Sequence, residues 1–220
     1  ADTFASDLNP IPVLLNKVVL EYIPQYGQRL ADEVADWGEK VKREAEKELA
    51  RFYPKDSDGA TPIAYLWART VLSEAPSTEE LPLQIPLLRS LWLSKRKDFL
   101  RALRWVRNEK GDVKTEVTEI YLNDHKIKVR RPILEIFSPT NEKQVELGTA
   151  KGGSATCPVS GFTTSANRVK EQLKQQSGGA EHSRLYALYV ERPGGREFRL
   201  ANRDDIQTFK AASAAASDVL

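Results

Sequence analysis

The pattern of apolar and polar positions predicts helices in the first quarter of the chain. Asp7 or Asn9 is placed to cap a first helix, which has Pro10 in its opening turn. The apolar residues between 11 and 23 are dense enough to be buried on most sides. The proline and glycine within 24–27 predict that this helix ends there.

A second helix is predicted by apolar residues that recur every three or four positions between Arg29 and Phe52. Charged residues fill the positions between them. This spacing is typical of a surface helix that buries one stripe against a neighbouring element. The stripe consists of Leu30, Val34, Trp37, Val41, Ala45, Leu49 and Phe52.

The middle of the chain has the composition of β-strands. Residues 63–72 are rich in β-branched and aromatic types, and a second strand-like segment, 86–94, follows a polar loop. The segment 99–137 has turn signals at 109–112 and 123–125. We expect an antiparallel meander in this part of the chain.

The last part of the chain mixes helix and strand. Ser165 or Asn167 is placed to start a helix that runs through Gln176, and 183–201 has the pattern of a hairpin. Asn202 is placed to cap a final helix that ends in a tail rich in alanine and serine. The whole pattern predicts an α+β fold and not a regular alternation of strands and helices.

The composition is that of a soluble globular protein. The chain has 220 residues, of which 40% are hydrophobic and 29% are charged, enough for one large domain or two small ones. No apolar stretch approaches the roughly 18 residues of a membrane helix, and no signal peptide opens the sequence. A single cysteine excludes an internal disulfide framework and fits the reducing cytoplasm. Because the chain starts at Ala1 and contains no methionine, we expect it to be a fragment.

Positive charge is concentrated between Lys95 and Arg131. Twelve Lys and Arg residues in this segment stand against six acids, a local net charge of +6 in a chain whose total is +2. Lys126, Lys128 and Arg130 alternate along a predicted strand and would share one of its faces. Such a face fits phosphate contacts with DNA. It also fits a solvated sheet face whose acids sit opposite the bases.

The single cysteine lies in a sequence related to a metal-binding turn. Cys157 begins Cys-Pro-Val-Ser-Gly, one residue away from the Cys-Pro-x-Cys-Gly turn of zinc ribbons, with Ser160 in place of the second cysteine. A structural zinc site needs four ligands. The opposing turn would lie within 72–84, which contains neither Cys nor His, and His125 and His182 stand alone. We therefore expect a ribbon shape held by packing, without zinc and with a half-buried thiol.

Asp7 has a second interpretation besides helix capping. An acid between the end of a strand and the start of a helix is where Rossmann-like folds hold the hydroxyls of a ribose. The short segment that ends at Ser6 and Asp7 has the pattern of a strand. The spacing fits both interpretations.

Five stretches taken together carry a family resemblance. They are ASDLNP (Ala5–Pro10), IAYLWARTV (Ile63–Val71), IPLLRSLWLSKR (Ile85–Arg96), SATCPVSGFTT (Ser154–Thr164) and GGAEHSRLYAL (Gly178–Leu188). The first is similar to the ribose-binding motif of S-adenosylmethionine-dependent DNA methyltransferases. In this order, and over nearly the whole chain, the five resemble a prokaryotic family of adenine-specific DNA methylases that contain a zinc ribbon.

The resemblance implies a fold and a cofactor. Asp7 would bind the ribose of S-adenosylmethionine, with Leu8 beside its adenine and Asn9 close to it. Residues 1–58 would be part of a Rossmann-like methyltransferase domain, a strand and a helix followed by the long amphipathic helix. Residues 59–220 would be a β-rich insertion with a degenerate zinc-ribbon-like core and an α+β end.

The activity that the resemblance implies is transfer of a methyl group to adenine N6 in double-stranded DNA. The chain lacks the family's G-x-G turn and its Asp-Pro-Pro-Tyr motif for the flipped base. We therefore assign no catalytic residue, and the missing motifs would belong to the remaining methyltransferase polypeptide. The alternative is a non-catalytic DNA-binding or scaffold protein derived from such a methylase. The resemblance favours DNA contacts by Lys126, Lys128, Arg130 and Arg131.

Overall fold

The computed structural model describes residues 4, 6–76, 81–122, 125–176 and 182–217. The chain divides into two compact units, Ala1–Tyr53 and Pro54–Leu220. The division falls at the start of a segment rich in Pro, Asp, Ser and Gly, a composition typical of linkers and turns.

The first unit consists of helices. Helix α1 (Pro10–Lys17) continues through a π-helical turn (Val18–Tyr22) into α2 (Ile23–Leu49), and a short 3₁₀ turn (Ala50–Phe52) follows. Within α2, Gly27 leaves the helical conformation with φ of 55° and ψ of −140°. Positive φ is adopted without strain by glycine alone. The predicted end of the first helix is therefore a kink.

The apolar stripe predicted for α2 is present, but the first unit does not bury it. No described residue of α1, the π-helical turn or α2 is buried. Val34, Trp37 and Val41 are 63%, 63% and 65% exposed. The expectation of a buried stripe is therefore wrong for this unit by itself, because it supplies no second layer for the stripe to pack against.

The second unit is built from short strands joined by turns. Its strands in the described residues are β1 (Thr61–Leu72), β2 (Gln84–Pro86), β3 (Trp92–Arg96), β4 (Phe99–Trp105), β5 (Thr115–Leu122), β6 (His125–Pro132), β7 (Leu134–Phe137), β8 (Ala150–Lys151), β9 (Ser154–Thr156), β10 (Thr163–Thr164), β11 (Ser183–Arg192) and β12 (Gly195–Leu200). Its helices are α3 (Ala166–Gln175) and α4 (Arg203–Ser217), and a 3₁₀ turn covers Glu142–Gln144. The fold is α+β, as the pattern predicts.

Four antiparallel strands form the largest sheet, in the order β12-β11-β1-β2. Strands β1 and β11 pair from Thr61 opposite Glu191 to Arg69 opposite Ser183, with irregularities after Pro62. Strands β11 and β12 form a hairpin between residues 183 and 201, as predicted. One cluster of the core packs at this sheet and contains Ala60, Leu185, Leu188 and Val190.

A second sheet, β3-β4-β7, carries a separate part of the core. Its buried residues pack with Ala68 of β1, and they include Leu91, Leu103, Trp105 and Leu134. Gly148 lies so close to the preceding chain that a Cβ atom would be 2.3 Å from the carbonyl oxygen of Leu88. Only glycine permits this approach.

Helix α3 completes hydrogen bonds along the edge of β1. Gln172 accepts from the backbone N–H of Leu72 at 2.7 Å and donates to the carbonyl oxygen of Leu72 at 3.0 Å. Gln176 donates to the carbonyl oxygen of Thr70 at 2.7 Å. These side-chain amides satisfy backbone groups that would otherwise lack partners at the edge of the strand.

Helix α4 begins at the cap that the sequence predicts. The side chain of Asn202 accepts from the backbone N–H of Asp205 at 2.9 Å, and the carboxylate of Asp205 accepts from the N–H of Asn202 at 2.8 Å. This reciprocal pair is a capping box. No helix within the described residues is long and apolar enough to cross a membrane.

Three predicted features fall on residues outside the described ranges. The strand expected before Asp7 rests mostly on 1–3 and 5, so the Rossmann-like part of the fold prediction stays a prediction. The turn around 123–124 and the glycine pair at 178–179 also lie outside the described ranges.

Candidate nucleic-acid interface

The hairpin of β5 and β6 carries the basic residues that the sequence places on one strand. Valine and isoleucine occur in both strands, with threonine also in β5, and these residues favour extended backbone. The strands pair without a register shift over their whole length. Because side chains alternate between the two faces of a sheet, Lys126, Lys128 and Arg130 share one face and Arg131 lies on the other.

The two lysines lie on the exposed face of this hairpin beside one acid. Glu119 is directly opposite Lys128 in the register, and its carboxylate lies 2.5 Å from the ammonium of Lys126. That hydrogen bond lowers the pKa of Glu119 and raises the pKa of Lys126. Both lysines are exposed, so the face keeps a positive excess that is smaller than the sequence alone indicates.

The two arginines of the hairpin have different surroundings. The backbone N–H of Arg130 donates to the carbonyl oxygen of Pro82 at 2.9 Å, which fastens β6 to the segment before β2, and its side chain is half-buried. Arg131 donates from Nε to the carboxylate of Glu116 at 2.7 Å. The structure therefore brings three of the four predicted DNA-binding residues to one face and places Arg131 on the opposite face.

Acids from outside the basic segment offset part of its charge. Three glutamates beyond residue 131 each approach a base of the segment. The pairs are Arg104 with Glu135 at 2.6 Å, Arg107 with Glu146 at 3.0 Å and Lys95 with Glu142 at 3.9 Å. Exposed pairs of this kind stabilise a fold little, but they reduce the positive potential that DNA phosphates would meet.

The predicted cofactor residues lie at the start of α1. Asp7 accepts a hydrogen bond from the backbone N–H of Asn9 at 2.8 Å, and Asn9 accepts from the N–H of Ile11 at 3.0 Å. Asn9 is therefore the helix cap. Leu8 is fully exposed. The capping interpretation is confirmed for Asn9, and ribose binding by Asp7 stays a prediction.

Cys157 lies in a tight turn between β9 and β10. Its backbone N–H donates to the carbonyl oxygen of Phe162 at 2.8 Å, and its carbonyl oxygen accepts from Gly161 at 2.9 Å. Gly161 has φ of 73°, which a turn of this kind requires of its glycine. The hydroxyl of Ser160 accepts from the N–H of Phe162 at 3.3 Å, so Ser160 takes part in the turn's own hydrogen bonding.

The side chain of Cys157 is buried, more deeply than the half-buried position that the sequence suggests. Only 1% of it is exposed, within a cluster that contains Val71, Leu83, Ile85, Ala155 and Val169. Val71 and Ile85 flank the segment 72–84, where a ribbon's opposing turn was expected, and Leu83 lies within it. Among the described residues, no group of three or more Cys, His, Asp and Glu side chains is placed to hold a metal ion.

The structure also assembles a cavity that the sequence did not indicate. A space of about 500 Å³ lies among β1, β5, β6, β11 and α4, and its lining includes Arg131, Arg184 and Lys210. The three come from distant parts of the sequence, so no local pattern joins them. The only signal was Arg184 itself, a charged residue directly before the apolar run 185–190.

Comparisons of this chain with protein-family models, with curated proteins and with solved structures found no match. The resemblance to adenine-specific DNA methylases therefore rests on the five sequence stretches.

Proposed function

We propose that this chain is a DNA-holding segment of an adenine-specific (N6) DNA methyltransferase that uses S-adenosylmethionine. The observation that carries the DNA contact is the exposed face of the β5–β6 hairpin, where Lys126 and Lys128 stand two residues apart on one strand. A two-residue step along a strand is about 6.6 Å, so both ammonium groups can reach phosphates of the same DNA strand.

The position of Cys157 supports the family part of the proposal. The resemblance requires a turn near 72–84 to face the turn at Cys157. In the structure Leu83 and Ile85 lie in one buried cluster with Cys157, although more than seventy residues separate them in sequence. In this proposal packing holds the two turns together and zinc is not required.

The proposal divides the enzyme's work between this chain and the rest of the methyltransferase polypeptide. Asp7, Leu8 and Asn9 would contribute the ribose and adenine side of the cofactor site. The remaining polypeptide would supply the glycine-rich turn and the motif that holds the flipped adenine. The segment alone is therefore expected to be inactive. The protein would act in the cytoplasm, which the single, unpaired cysteine supports.

The proposed DNA contact is tested by charge reversal on the hairpin. The affinity of the full chain for a labelled duplex is measured by fluorescence anisotropy at several salt concentrations. Lys126→Glu with Lys128→Glu is expected to weaken binding by about tenfold or more and to reduce the salt slope by about two, since each phosphate contact contributes about 0.9.

The matched control is Lys170→Glu with Lys174→Glu on the exposed side of α3, which makes the same change in net charge. The control is expected to bind nearly as well as the parent chain. Unchanged affinity in the hairpin variant would overturn the proposed interface. An equal loss in both variants would do the same, because it would show a response to net charge alone.

One observation favours a second function, that of a scaffold protein that binds DNA. The carboxylate of Asp7 and the amide of Asn9 already accept backbone hydrogen bonds at the start of α1, as they would in a scaffold protein that binds DNA without a cofactor. Calorimetric titration of S-adenosylmethionine into the chain joined to its in-frame neighbouring sequence separates the two functions. Binding that is lost in Asp7→Ala supports the methyltransferase. No binding at all supports the scaffold, and binding that survives this substitution overturns the assignment of Asp7 to the cofactor site.

A further inference from the structure

The cavity beside α4 is large enough for a small organic ligand. Its volume of about 500 Å³ lies within the range of about 300–1,000 Å³ that ligand pockets occupy. Its walls come from strands β1, β5, β6 and β11 on one side and from α4 on the other. Neither Lys126 nor Lys128, the proposed DNA-binding pair, lines this cavity.

Arg184 supplies a half-buried positive charge to this cavity. Its Nη1 donates to the carbonyl oxygen of Pro132 at 2.7 Å, and no carboxylate in the described ranges lies within salt-bridge distance of it. Burial, together with the nearby charge of Arg131, lowers the pKa of Arg184 to about 9. The guanidinium thus remains protonated at neutral pH, and Glu116 is near enough to offset part of the downward shift of its pKa.

The other charged groups of the cavity leave a positive excess. Arg131 also lines it, with its Nε bonded to Glu116, and Lys210 of α4 is a third cation. The acid in the lining is Glu119, which is held by Lys126 at 2.5 Å. Two guanidinium groups with several donors each are suited to the oxygens of a phosphate.

The remaining wall is aromatic. Trp67 of β1 and Phe209 of α4 contact each other, with ring centroids 4.7 Å apart and planes inclined at 59°. Tyr121 of β5 also lines the cavity. Aromatic surfaces of this kind bind the flat face of a nucleobase, which stacks regardless of base identity.

We infer that the cavity binds a nucleoside monophosphate, with its phosphate on the two arginines and its base against the Trp67–Phe209 surface. The phosphate supplies a salt-bridge partner for Arg184, and the base covers apolar surface that the cavity otherwise leaves open. The cavity shares Glu119 with the lysine face of the hairpin, but neither Lys126 nor Lys128 lines it.

The test is calorimetric titration of adenosine 5′-monophosphate, inorganic phosphate and adenosine into the full chain. The monophosphate is expected to bind, and phosphate and adenosine are each expected to bind at least tenfold more weakly. A tenfold ratio corresponds to about 1.4 kcal/mol, within the range for one stacked base or one charged hydrogen bond. No binding of the monophosphate, or equal binding of inorganic phosphate, overturns the inference.

Two variants locate the site. Arg184→Gln is expected to weaken binding of the monophosphate by about tenfold or more. Lys210→Gln, at an exposed position of α4, is expected to weaken binding of the monophosphate severalfold. If Arg184→Gln does not fold, the Lys210→Gln variant by itself tests whether the monophosphate binds in the cavity. Lys170→Gln is the control for loss of one charge and is expected to have no effect. Unchanged affinity in the folded cavity variants would falsify the assignment.

The proposed nucleotide site and the proposed DNA-binding face are tested independently of each other. Lys126→Gln with Lys128→Gln is expected to leave binding of adenosine 5′-monophosphate within about twofold of the parent chain, because neither lysine lines the cavity and the change adds no acid beside Glu119. Loss of nucleotide binding in that variant would show that the nucleotide occupies the hairpin face, and would overturn the cavity assignment.

Discussion

The ammonium group of Lys126 lies 2.5 Å from the carboxylate of Glu119, across the exposed face of the β5–β6 hairpin. Glu119 is also directly opposite Lys128 in the strand register. One acid therefore binds Lys126, lies beside Lys128, and offsets part of the charge of the proposed DNA contact.

Replacing this acid is expected to strengthen DNA binding. In Glu119→Gln the two lysines lose their local counterion, so duplex affinity should rise severalfold at low salt, with a steeper salt dependence. The measurement is the same anisotropy titration. Glu191→Gln is the matched control, since Glu191 forms an exposed pair with Arg196 in the β11–β12 hairpin. Affinity that is unchanged or weaker in Glu119→Gln contradicts the proposed interface.

The double hydrogen bond between Gln172 and Leu72 is expected to stabilise the second unit. Gln172→Leu leaves the N–H and carbonyl of Leu72 without their partner and should lower the free energy of unfolding by about 1–3 kcal/mol. Gln172→Glu keeps an acceptor for the N–H, so its loss should be smaller. Urea unfolding measures both. Gln175→Leu, at an exposed position of the same helix, should change stability little, and an equal loss there would refute the role of the bond.

The ion pair of Arg199 with Asp205 predicts a pH dependence of stability. Arg199 donates to both carboxylate oxygens of Asp205 at 2.6 and 2.8 Å. Burial by itself would raise the pKa of Asp205, but the hydrogen bonds from Arg199 and Asn202 lower it below its usual value of 3.8. A lowered carboxylate pKa contributes stability above pH 4, and this contribution is lost as the pH falls through the folded-state pKa.

Asp205→Asn tests that pH dependence. At pH 7 the variant should be less stable than the parent chain by about 2–3 kcal/mol, because a largely buried arginine loses a charged partner. The difference should shrink below pH 4, where the parent carboxylate becomes protonated. Denaturant unfolding at pH 7 and pH 3 measures it. A difference of the same size at both pH values would contradict the assignment.

The buried thiol of Cys157 is expected to react only when the protein opens. Labelling by a thiol reagent should be slow in the folded chain and fast in denaturant, because 1% of the residue is exposed. Cys157→Ser should lower the free energy of unfolding by about 1–3 kcal/mol, since it places a hydroxyl in an apolar cluster.

Elemental analysis of the purified chain is expected to find zinc well below one atom per molecule. Stoichiometric zinc would overturn the interpretation of Ser160.

Much of the second unit could be predicted from local patterns. Turn residues and β-branched runs correctly predicted the hairpin of β5 and β6 and that of β11 and β12. The meander expected over 99–137 is wrong, because β4 pairs with β3 and β7, and β5 and β6 form a separate two-stranded sheet. Asn202 was correctly predicted to cap α4 because its side chain bonds a backbone group only three residues away. Signals of this kind act within one turn or one hairpin, so a single stretch of sequence contains both partners.

The candidate sites were less accessible to prediction. The alternation of Lys126 and Lys128 showed that they share a face, but the position of Glu119 beside them depends on the register of the hairpin. The offsetting glutamates Glu135, Glu142 and Glu146 lie outside the segment whose charge was counted. The cavity around Arg184 joins residues from six elements, since Gln84 of β2 also lines it.

The sequence by itself determined the α+β class, the position of most helices and strands in the second unit, and the face shared by the hairpin lysines, because these depend on backbone propensity and side-chain period. The tertiary structure alone decided which distant segments meet. It paired β1 with β11 across more than one hundred residues, buried Cys157 against Leu83, and placed Arg184 against the carbonyl oxygen of Pro132. Such contacts follow from burial of apolar surface by the whole chain, which no local window of sequence contains.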